Sequence, residues 1–426
     1  MRTSNATLSQ PAVLLVVALI PALLLFSRLL ADITLVLIAI AFLYYSYQSK
    51  QWQWLKMPWL RAIALFVFYL AMINTPFSVE PSQSFLKALA FLRWPIFACA
   101  MAFWVLNDFT RLRAFLIGLA ITIVFIITDT TWQYIYGVDF FGFPPHSAER
   151  LTGPFRAPIP GTMLLRVLFL LLCLSWLYPW LKRETPQLVF IMSILLLGLL
   201  TIFISGERMA FLLMLLGSGL IFIGLIKASH AIRFQLLAMM AILSLSLVSM
   251  IGLLPDMATR TIYSTFDKLA HFAESDYGHV FYAAYQVWLT APWLGVGFDA
   301  YQVVCDKQQL LTICSHPHNL YLLILSETGV IGLLLFIPFV IHLFKTCLTK
   351  LWQQQQWLLV SITAAILTIS FWPLYGGVNI LSNWFAAIVW LGIGFSLTIG
   401  LTASHLLTSP HANAANTDAN TSSQLS

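Results

Sequence analysis

The sequence predicts an all-α polytopic membrane protein with about 12 transmembrane helices and a large outer loop between helices 9 and 10. Of its 426 residues, 60% are hydrophobic and only 9% are charged. Soluble domains carry about 25% charged residues. Apolar runs long enough to cross a bilayer recur along most of the chain. This composition excludes a water-soluble globular protein, a disordered chain and a disulfide-rich secreted module.

Each predicted membrane helix is an apolar run of about 20 residues, the length that crosses the hydrocarbon core. The runs are 11–27, 32–47, 59–74, 86–106, 113–136, 162–180, 187–205, 208–226, 232–254, 319–344, 357–373 and 379–401. The first run does not resemble a cleaved signal peptide, because Pro21 splits it and Arg28 leads into a second span. Lys87 and Arg93 interrupt the fourth run.

The basic residues predict the orientation of the chain. The formal charge is +6, with 22 Lys and Arg against 16 Asp and Glu. If the N-terminus is cytoplasmic, each short inner connection is basic, with Lys50, Arg111, Lys182, Lys227 and Lys345 as examples. This is the positive-inside pattern, so the charge does not indicate nucleic-acid binding.

The same reasoning divides the chain into four parts. Residues 1–254 hold helices 1–9, residues 255–318 form the large outer loop, and residues 319–401 hold helices 10–12. Residues 402–426 are rich in Ser, Thr, Asn and Ala, which predicts a disordered tail. An even number of spans places both termini in the cytoplasm.

The outer loops are expected to carry function, because loops longer than about 15 residues are usually functional or disordered. They cover residues 137–161 and 255–318, and the second is rich in aromatic residues. Residues 279–290 predict a short apolar helix at the membrane surface, ended by Pro292. The alternative is that the aromatic side chains form only an interfacial belt.

Arginines near the outer ends of spans suggest binding of an anionic headgroup or a diphosphate. They are Arg150, Arg156, Arg166, Arg208 and Arg260. An ionisable group at such a position indicates a functional site, and the planar guanidinium matches phosphate oxygens. The alternative is ordinary ion pairing, for example of Glu207 with a neighbouring arginine.

A histidine pair directly precedes the tenth span. His316 and His318 flank a proline at the start of a long apolar helix. A helix N-terminus disfavours imidazolium, so a neutral ring could accept a proton as a general base. Asn319 could orient the ring or cap the helix. The alternatives are a zinc site formed by both histidines with Cys314, and plain capping.

Four motifs resemble those of the O-antigen ligase family. The first is His316–Asn319 (HPHN), followed by Glu327-Thr328-Gly329 and Gly332. The others are Trp293–Gly297 (WLGVG), which is similar to the family's Pro-x-x-Gly-x-Gly segment, Gly206-Glu207-Arg208, and Arg150–Gly153 (RLTG). One difference is that the family often has Gly-Arg at the head of the loop helix, where this chain has Gly278-His279. Arg260 is therefore the candidate substitute.

The resemblance implies a fold like that of the C-type glycosyltransferases, in a Gram-negative inner membrane with the catalytic loop in the periplasm. It implies transfer of an O-antigen polysaccharide from undecaprenyl diphosphate to a sugar hydroxyl of the lipid A-core. His318, or alternatively His316, would accept the proton while Arg208 and Arg260 stabilise the leaving diphosphate. Membrane lipid is the surrounding partner. Arg150, Arg156, Asn319 and Glu327 complete the expected substrate-binding set.

No cofactor or metal is expected, because the chain has neither an Asp-x-Asp motif nor a nucleotide-binding glycine loop. Two other functions stay open. An O-antigen or exopolysaccharide polymerase would use another lipid-linked repeat as acceptor. A transporter or flippase is less favoured, because such proteins often have two related halves, which this sequence does not show.

The cysteines add one structural prediction. Cys305 and Cys314 lie nine residues apart in the large outer loop, whereas Cys99, Cys173 and Cys347 lie in or at the ends of spans. Because the periplasm permits disulfides, we expect a Cys305–Cys314 bond that steadies the approach to His316. The alternative is two free thiols too far apart to bond.

Overall fold

The computed structural model describes residues 10–178, 184–229, 233–312, 314–374, 381 and 383–407. Within these residues the chain is helical and has no β-strand. The helices are α1 (Gln10–Phe26), α2 (Arg28–Ser49), α3 (Pro58–Tyr69), α4 (Pro81–Phe91), α5 (Arg93–Ala100), α6 (Phe109–Tyr136), α7 (Pro160–Leu171), α8 (Leu174–Leu177), α9 (Glu184–Ile204), α10 (Arg208–Ala228), α11 (Arg233–Leu253), α12 (Pro255–Ala258), α13 (Ser264–Ala270), α14 (Asp276–Thr290), α15 (Tyr301–Lys307), α16 (Leu320–Gln353), α17 (Trp357–Ser370) and α18 (Asn383–Leu407).

The prediction of an all-α polytopic membrane protein is confirmed. Among the described residues, 10 helical segments are long and apolar enough to cross a membrane. The other two predicted spans correspond to the shorter apolar helices α1 and α17. The charges that interrupt the fourth span have partners, since Lys87 lies 2.9 Å from Asp299 and Arg93 lies 3.2 Å from Asp32.

The order of the spans gives the bundle two ends. Successive spans run in opposite directions, so residues 137–159, 205–207, 254–312, 314–319 and 371–374 lie at the same end. This end is termed the loop face. The predicted inner connection with Lys182 and Arg183 lies outside the described residues, as does the predicted tail from residue 408 onward. The last helix continues to Leu407, beyond the predicted end of the span at residue 401.

The large loop is built from the short helices α12 to α15. The predicted surface helix at 279–290 is the major part of α14, whose N-terminus is capped by the Ser275 hydroxyl. The predicted disulfide is confirmed: Cys305 of α15 is bonded to Cys314, with Cα atoms 5.9 Å apart. Cys99, Cys173 and Cys347 are free and buried, as expected for cysteines in spans.

A polar junction holds this loop on the membrane helices. It is termed the glycine anchor and consists of residues 293–298, Glu327–Gly329 of α16, and Asn74 at the end of the third span. The Asn74 amide donates to the carbonyls of Leu294 (2.6 Å) and Glu327 (3.0 Å), and its oxygen accepts from Phe298 N–H (3.0 Å). All three of these hydrogen bonds of the Asn74 side chain are thus made to backbone groups.

Helix α16 is broken within this anchor. Gly329 has φ of +65°, and a Cβ atom there would lie 2.2 Å from the carbonyl oxygen of Trp293. Only glycine combines this left-handed conformation with such close backbone approach. The break places the first turns of α16, and the histidines before them, against the loop.

Candidate active site

Three of the predicted arginines line one cleft on the loop face. Arg150 lies in the loop before α7, Arg208 is the first residue of α10, and Arg260 follows α12. Glu207 and Tyr277 also line the cleft. These five residues are termed the arginine cleft. The chain therefore brings together side chains that are more than 100 positions apart in sequence.

The side chains of Arg208 and Arg260 are both hydrogen-bonded to backbone carbonyls within the cleft. Arg208 Nε donates to the Arg260 carbonyl at 2.9 Å, and Arg260 Nε donates to the Gly206 carbonyl at 3.0 Å. Gly206 has φ of +73°, and a Cβ atom there would lie 2.0 Å from the Glu149 carbonyl oxygen. The absence of a side chain at Gly206 therefore allows both the Glu149 backbone and the Arg260 side chain to pack closely against this turn.

Glu207 has a structural partner other than its neighbouring arginine. Its carboxylate accepts from the backbone N–H groups of Gly161 (2.6 Å) and Thr162 (3.1 Å) in the first turn of α7. A carboxylate on these otherwise unpaired donors caps the helix. Burial raises the pKa of Glu207 to about 7. Within the described residues, no ion pair joins Glu207 to Arg208.

The cleft is electropositive. Among the described residues, neither Arg150 nor Arg208 forms an ion pair with a carboxylate, and Arg260 has only the half-exposed Glu149 at 3.6 Å. Burial lowers the pKa of the Arg150 guanidinium; Arg260 acts in the same direction, whereas Glu207 opposes it. Several guanidinium groups in one partly desolvated cleft fit a ligand with two or more negative charges.

The histidine pair adjoins the cleft through Tyr277. The rings of His316 and His318 lie 4.3 Å apart, and the His318 ring lies 5.7 Å from that of Tyr277 in an edge-on arrangement. Burial, with a smaller effect of His318, lowers the pKa of His316 to about 4. His318 has φ of +51°, a conformation that is uncommon for residues other than glycine. Such conformations cluster at functional sites.

Asn319 is the N-cap of α16. Its side-chain oxygen accepts from the backbone N–H groups of Tyr321 (3.0 Å) and Leu322 (3.1 Å). The capping interpretation of this residue is therefore confirmed. The disulfide also removes Cys314 as a thiolate ligand, so the alternative zinc set of two histidines and this cysteine is not available. The described residues contain no group of three or more metal-ligating side chains.

The remaining predicted residues lie outside the cleft. Glu327 is 4% exposed and accepts from the Tyr301 N–H in the glycine anchor. Arg156 lies over the Phe143 ring, 5.6 Å from its centroid, and lines a separate cavity. Arg166 donates to the Ile369 carbonyl within the helix bundle. The substrate-binding roles of Glu327 and Arg156 stay predictions.

Tyr277 was not singled out from sequence as a site residue. Its position could have indicated a role, because Tyr277 directly precedes Gly278-His279, where the O-antigen ligase family often has Gly-Arg. Asn74 was also missed as an anchor residue. A polar amide inside an apolar run is a recognised indication of buried hydrogen bonding.

Fold and site together define a multi-pass membrane protein with a cationic, histidine-flanked cleft at one end of a helix bundle. Residues 192–337 match the family model described as O-antigen ligase. The match includes Arg208, Arg260, the large loop and the histidine motif. It confirms the resemblance to the O-antigen ligase family, whose members act as ligases or polymerases of glycans. A search among curated proteins finds no match to the chain.

Proposed function

We propose that this protein transfers an O-antigen polysaccharide from undecaprenyl diphosphate to a lipid A-core hydroxyl, on the periplasmic face of a Gram-negative inner membrane. One observation carries the proposal. Three arginines from distant parts of the chain line one cleft, and Tyr277 joins that cleft to His318. The family match agrees with this chemistry.

The arginine cleft would hold the diphosphate of the donor. When the bond between the anomeric carbon and the diphosphate breaks, the leaving group gains negative charge. Guanidinium groups of Arg208, Arg150 and Arg260 can stabilise that charge through paired hydrogen bonds. Hydrogen bonds to backbone carbonyls orient the side chains of Arg208 and Arg260.

His318 would act as the general base. It takes the proton from the acceptor hydroxyl as that oxygen forms a bond to the anomeric carbon, and the lipid diphosphate leaves with the bonding electrons. A side chain in this role typically contributes about 10²–10⁴-fold to the rate. His316, neutral at physiological pH because its pKa is about 4, is the alternative base.

The location follows from the same proposal. The loop face would be periplasmic and both termini cytoplasmic, in agreement with the positive-inside pattern. The disulfide between Cys305 and Cys314 supports this placement, because disulfides persist in an oxidising compartment. Labelling of an introduced cysteine with an impermeant maleimide tests it: Glu274→Cys should react from the periplasmic side.

Deletion of the gene, followed by electrophoresis of the lipopolysaccharide, tests the proposed activity. A ligase predicts unsubstituted lipid A-core together with accumulated lipid-linked polymer. Core that carries a single repeat would instead show a polymerase. Complementation with the wild-type gene should restore the full ladder, and complementation with His318→Asn should not.

Purified protein distinguishes arginine from metal in the stabilisation of the leaving group. We expect transfer activity to survive EDTA, because the cleft supplies its positive charge from side chains. Loss of activity on EDTA treatment that Mg²⁺ restores would contradict this part of the proposal.

A further inference from the structure

Tyr277 lies between two cavities of different character on the loop face. It lines the electropositive arginine cleft, and it also lines a neighbouring cavity that shares Arg208 with the cleft. Most of the other side chains in that second cavity are apolar, among them Leu212 and Leu269. A tyrosine has an apolar ring and a polar tip. It fits this boundary when the ring packs on the apolar side and the hydroxyl reaches the cleft.

The electrostatics of the phenol agree with this orientation. Burial raises the pKa of Tyr277, whereas the positive charges of Arg208 and Arg150 lower it to a smaller extent. These charges act on the phenol only if they lie near its oxygen. Because the usual pKa of tyrosine is already about 10, the hydroxyl keeps its proton at neutral pH and can donate a hydrogen bond.

Among the described residues, this donor has no hydrogen-bond partner. Two other tyrosine hydroxyls are used within the fold: that of Tyr69 donates to the Thr328 carbonyl at 2.7 Å, and that of Tyr321 donates to the Phe371 carbonyl at 3.0 Å. Polar groups at partly buried positions normally make such bonds. The Tyr277 hydroxyl is therefore available to a ligand of the arginine cleft.

The ring of Tyr277 also contacts the proposed base. Tyr277 lies in the first turn of α14, where the Ser275 hydroxyl accepts from the Gly278 N–H at 3.2 Å and caps the helix. The ring meets that of His318 edge-on, with centroids 5.7 Å apart. One side chain thus lies next to the residue that would accept the proton and next to the arginines that would hold the leaving group.

We propose that Tyr277 is a further catalytic residue, whose hydroxyl donates a hydrogen bond to the leaving diphosphate beside Arg150 and Arg208. This role rests on the proposed function, which assigns a diphosphate to the cleft. When the bond between the anomeric carbon and the diphosphate oxygen breaks, the bonding electrons stay on that diphosphate. Tyr277 stabilises the resulting charge and keeps its own proton, while the proton of the acceptor hydroxyl passes to His318.

Transfer assays with Tyr277→Phe test the proposal. Phenylalanine keeps the ring and its contact with His318 but removes the hydroxyl. We expect kcat/KM for the donor to fall about 10–100-fold, because a hydrogen bond to a charged group is lost, and the KM for the acceptor to stay unchanged. Tyr282→Phe is the matched control, because Tyr282 lies on the same helix, is 63% exposed and lines neither cavity.

Binding of inorganic pyrophosphate gives a readout that does not depend on transfer. This probe carries the diphosphate charge that the leaving group acquires. In calorimetric titrations of the purified full-length protein in detergent, we expect the dissociation constant to rise about tenfold or more in Tyr277→Phe. It should stay at the wild-type value in Tyr282→Phe. A role in packing alone would lower the melting temperature but leave the affinity of the folded protein unchanged, and that result would overturn the proposal.

The two measurements separate this proposal from the proposed function. If wild type transfers glycan and Tyr277→Phe does so equally fast, the proposed function stands and the hydroxyl is not catalytic. If wild type transfers no glycan, the proposed function fails, while the pyrophosphate comparison still decides whether the hydroxyl binds the anion. A raised KM for the acceptor with unchanged pyrophosphate affinity would contradict the assignment to the leaving group. Absence of pyrophosphate binding by wild type would overturn it as well.

Discussion

The arginine cleft and the glycine anchor both place polar groups in partly buried surroundings on the loop face, but they satisfy those groups differently. In the anchor, Asn74 makes three hydrogen bonds to backbone and Glu327 accepts from backbone N–H. In the cleft, Arg150 Nε is buried without a hydrogen-bond partner among the described residues. Polar groups that make their hydrogen bonds within the protein stabilise the fold, whereas groups that lack such bonds are available to bind a ligand.

Two buried glutamates show how this comparison separates roles. Glu207 stands beside Arg208 in the cleft, yet its carboxylate caps α7. Glu327 belongs to a motif of the family, yet it lies in the anchor and contacts loop backbone. Both carboxylates therefore accept hydrogen bonds from backbone N–H groups, although each stands in a motif that resembles the family's. The hydrogen-bond partners distinguish the two sites.

The largest expected effect is the loss of activity in His318→Asn. Asparagine tolerates the left-handed backbone conformation of this position but cannot act as the base. We expect transfer to fall about 10²–10⁴-fold while the thermal stability stays near that of wild type. His316→Ala should be milder. Transfer at the wild-type rate in His318→Asn membranes would show that this histidine is not the base.

Arg208→Lys should reduce transfer almost as far as Arg208→Ala, by about 10²–10³-fold. Lysine keeps the charge but cannot supply the planar fork of donors or its hydrogen bond to the Arg260 carbonyl. The measurement is the initial rate in purified membranes with equal amounts of protein. Full activity of the lysine variant would mean that the cleft needs only a point charge.

Asn74→Ala should act on stability instead. The change leaves the Leu294 and Glu327 carbonyls and the Phe298 N–H without their amide partner. The Glu327 carbonyl keeps the Gly297 N–H and the Leu294 carbonyl keeps the Tyr69 hydroxyl, so only the Phe298 N–H is left unsatisfied. We expect the free energy of unfolding to fall by about 3 kcal/mol, since three hydrogen bonds of about 1 kcal/mol each are lost. Thermal unfolding in detergent measures this loss. The variant Asn319→Ala, which removes the N-cap of α16, serves for comparison and should lower the free energy of unfolding by about 1 kcal/mol. A smaller loss for Asn74→Ala than for Asn319→Ala would contradict the anchor's scaffold role.

The smallest expected effect concerns pH. The pKa of His316 is about 4 in the folded protein and about 6.5 when unfolded. Between these values the unfolded chain binds more protons, so stability falls as the pH drops from 6.5 towards 4. His316→Asn removes this contribution. From pH 7.5 to 5.0, the melting temperature of wild type should fall further than that of the variant. Parallel decreases would show that the imidazole is not held neutral.

Much of the fold could be predicted from sequence, because hydrophobic length is a local property. The spacing of residues along the chain indicates the twelve apolar runs, the loop between the ninth and tenth spans, and the Cys305–Cys314 pair. The break of α16 at Gly329 was not predicted, since it depends on the Trp293 carbonyl brought in by tertiary packing.

The residue types of the candidate site could be predicted from sequence, but which of these residues lie together in one cleft could be predicted less well. Arg150, Arg208 and Arg260 meet in one cleft, but Arg156 does not, although it lies only six residues from Arg150. Tyr277 lies at the candidate site because the first turn of α14 packs next to His318. No local sequence pattern indicates this packing. Long-range contacts, rather than residue chemistry, determined which candidates converge.

The central claim is that the arginine cleft binds a lipid diphosphate. Its most direct test is the affinity of undecaprenyl diphosphate for the purified protein in nanodiscs. Wild type is compared with two variants, Arg208→Gln and Lys87→Gln. Lys87 serves as the control because it pairs with Asp299, next to the glycine anchor and outside the arginine cleft. We predict at least tenfold weaker binding for Arg208→Gln and unchanged binding for Lys87→Gln. Equal affinity of all three proteins would contradict the claim.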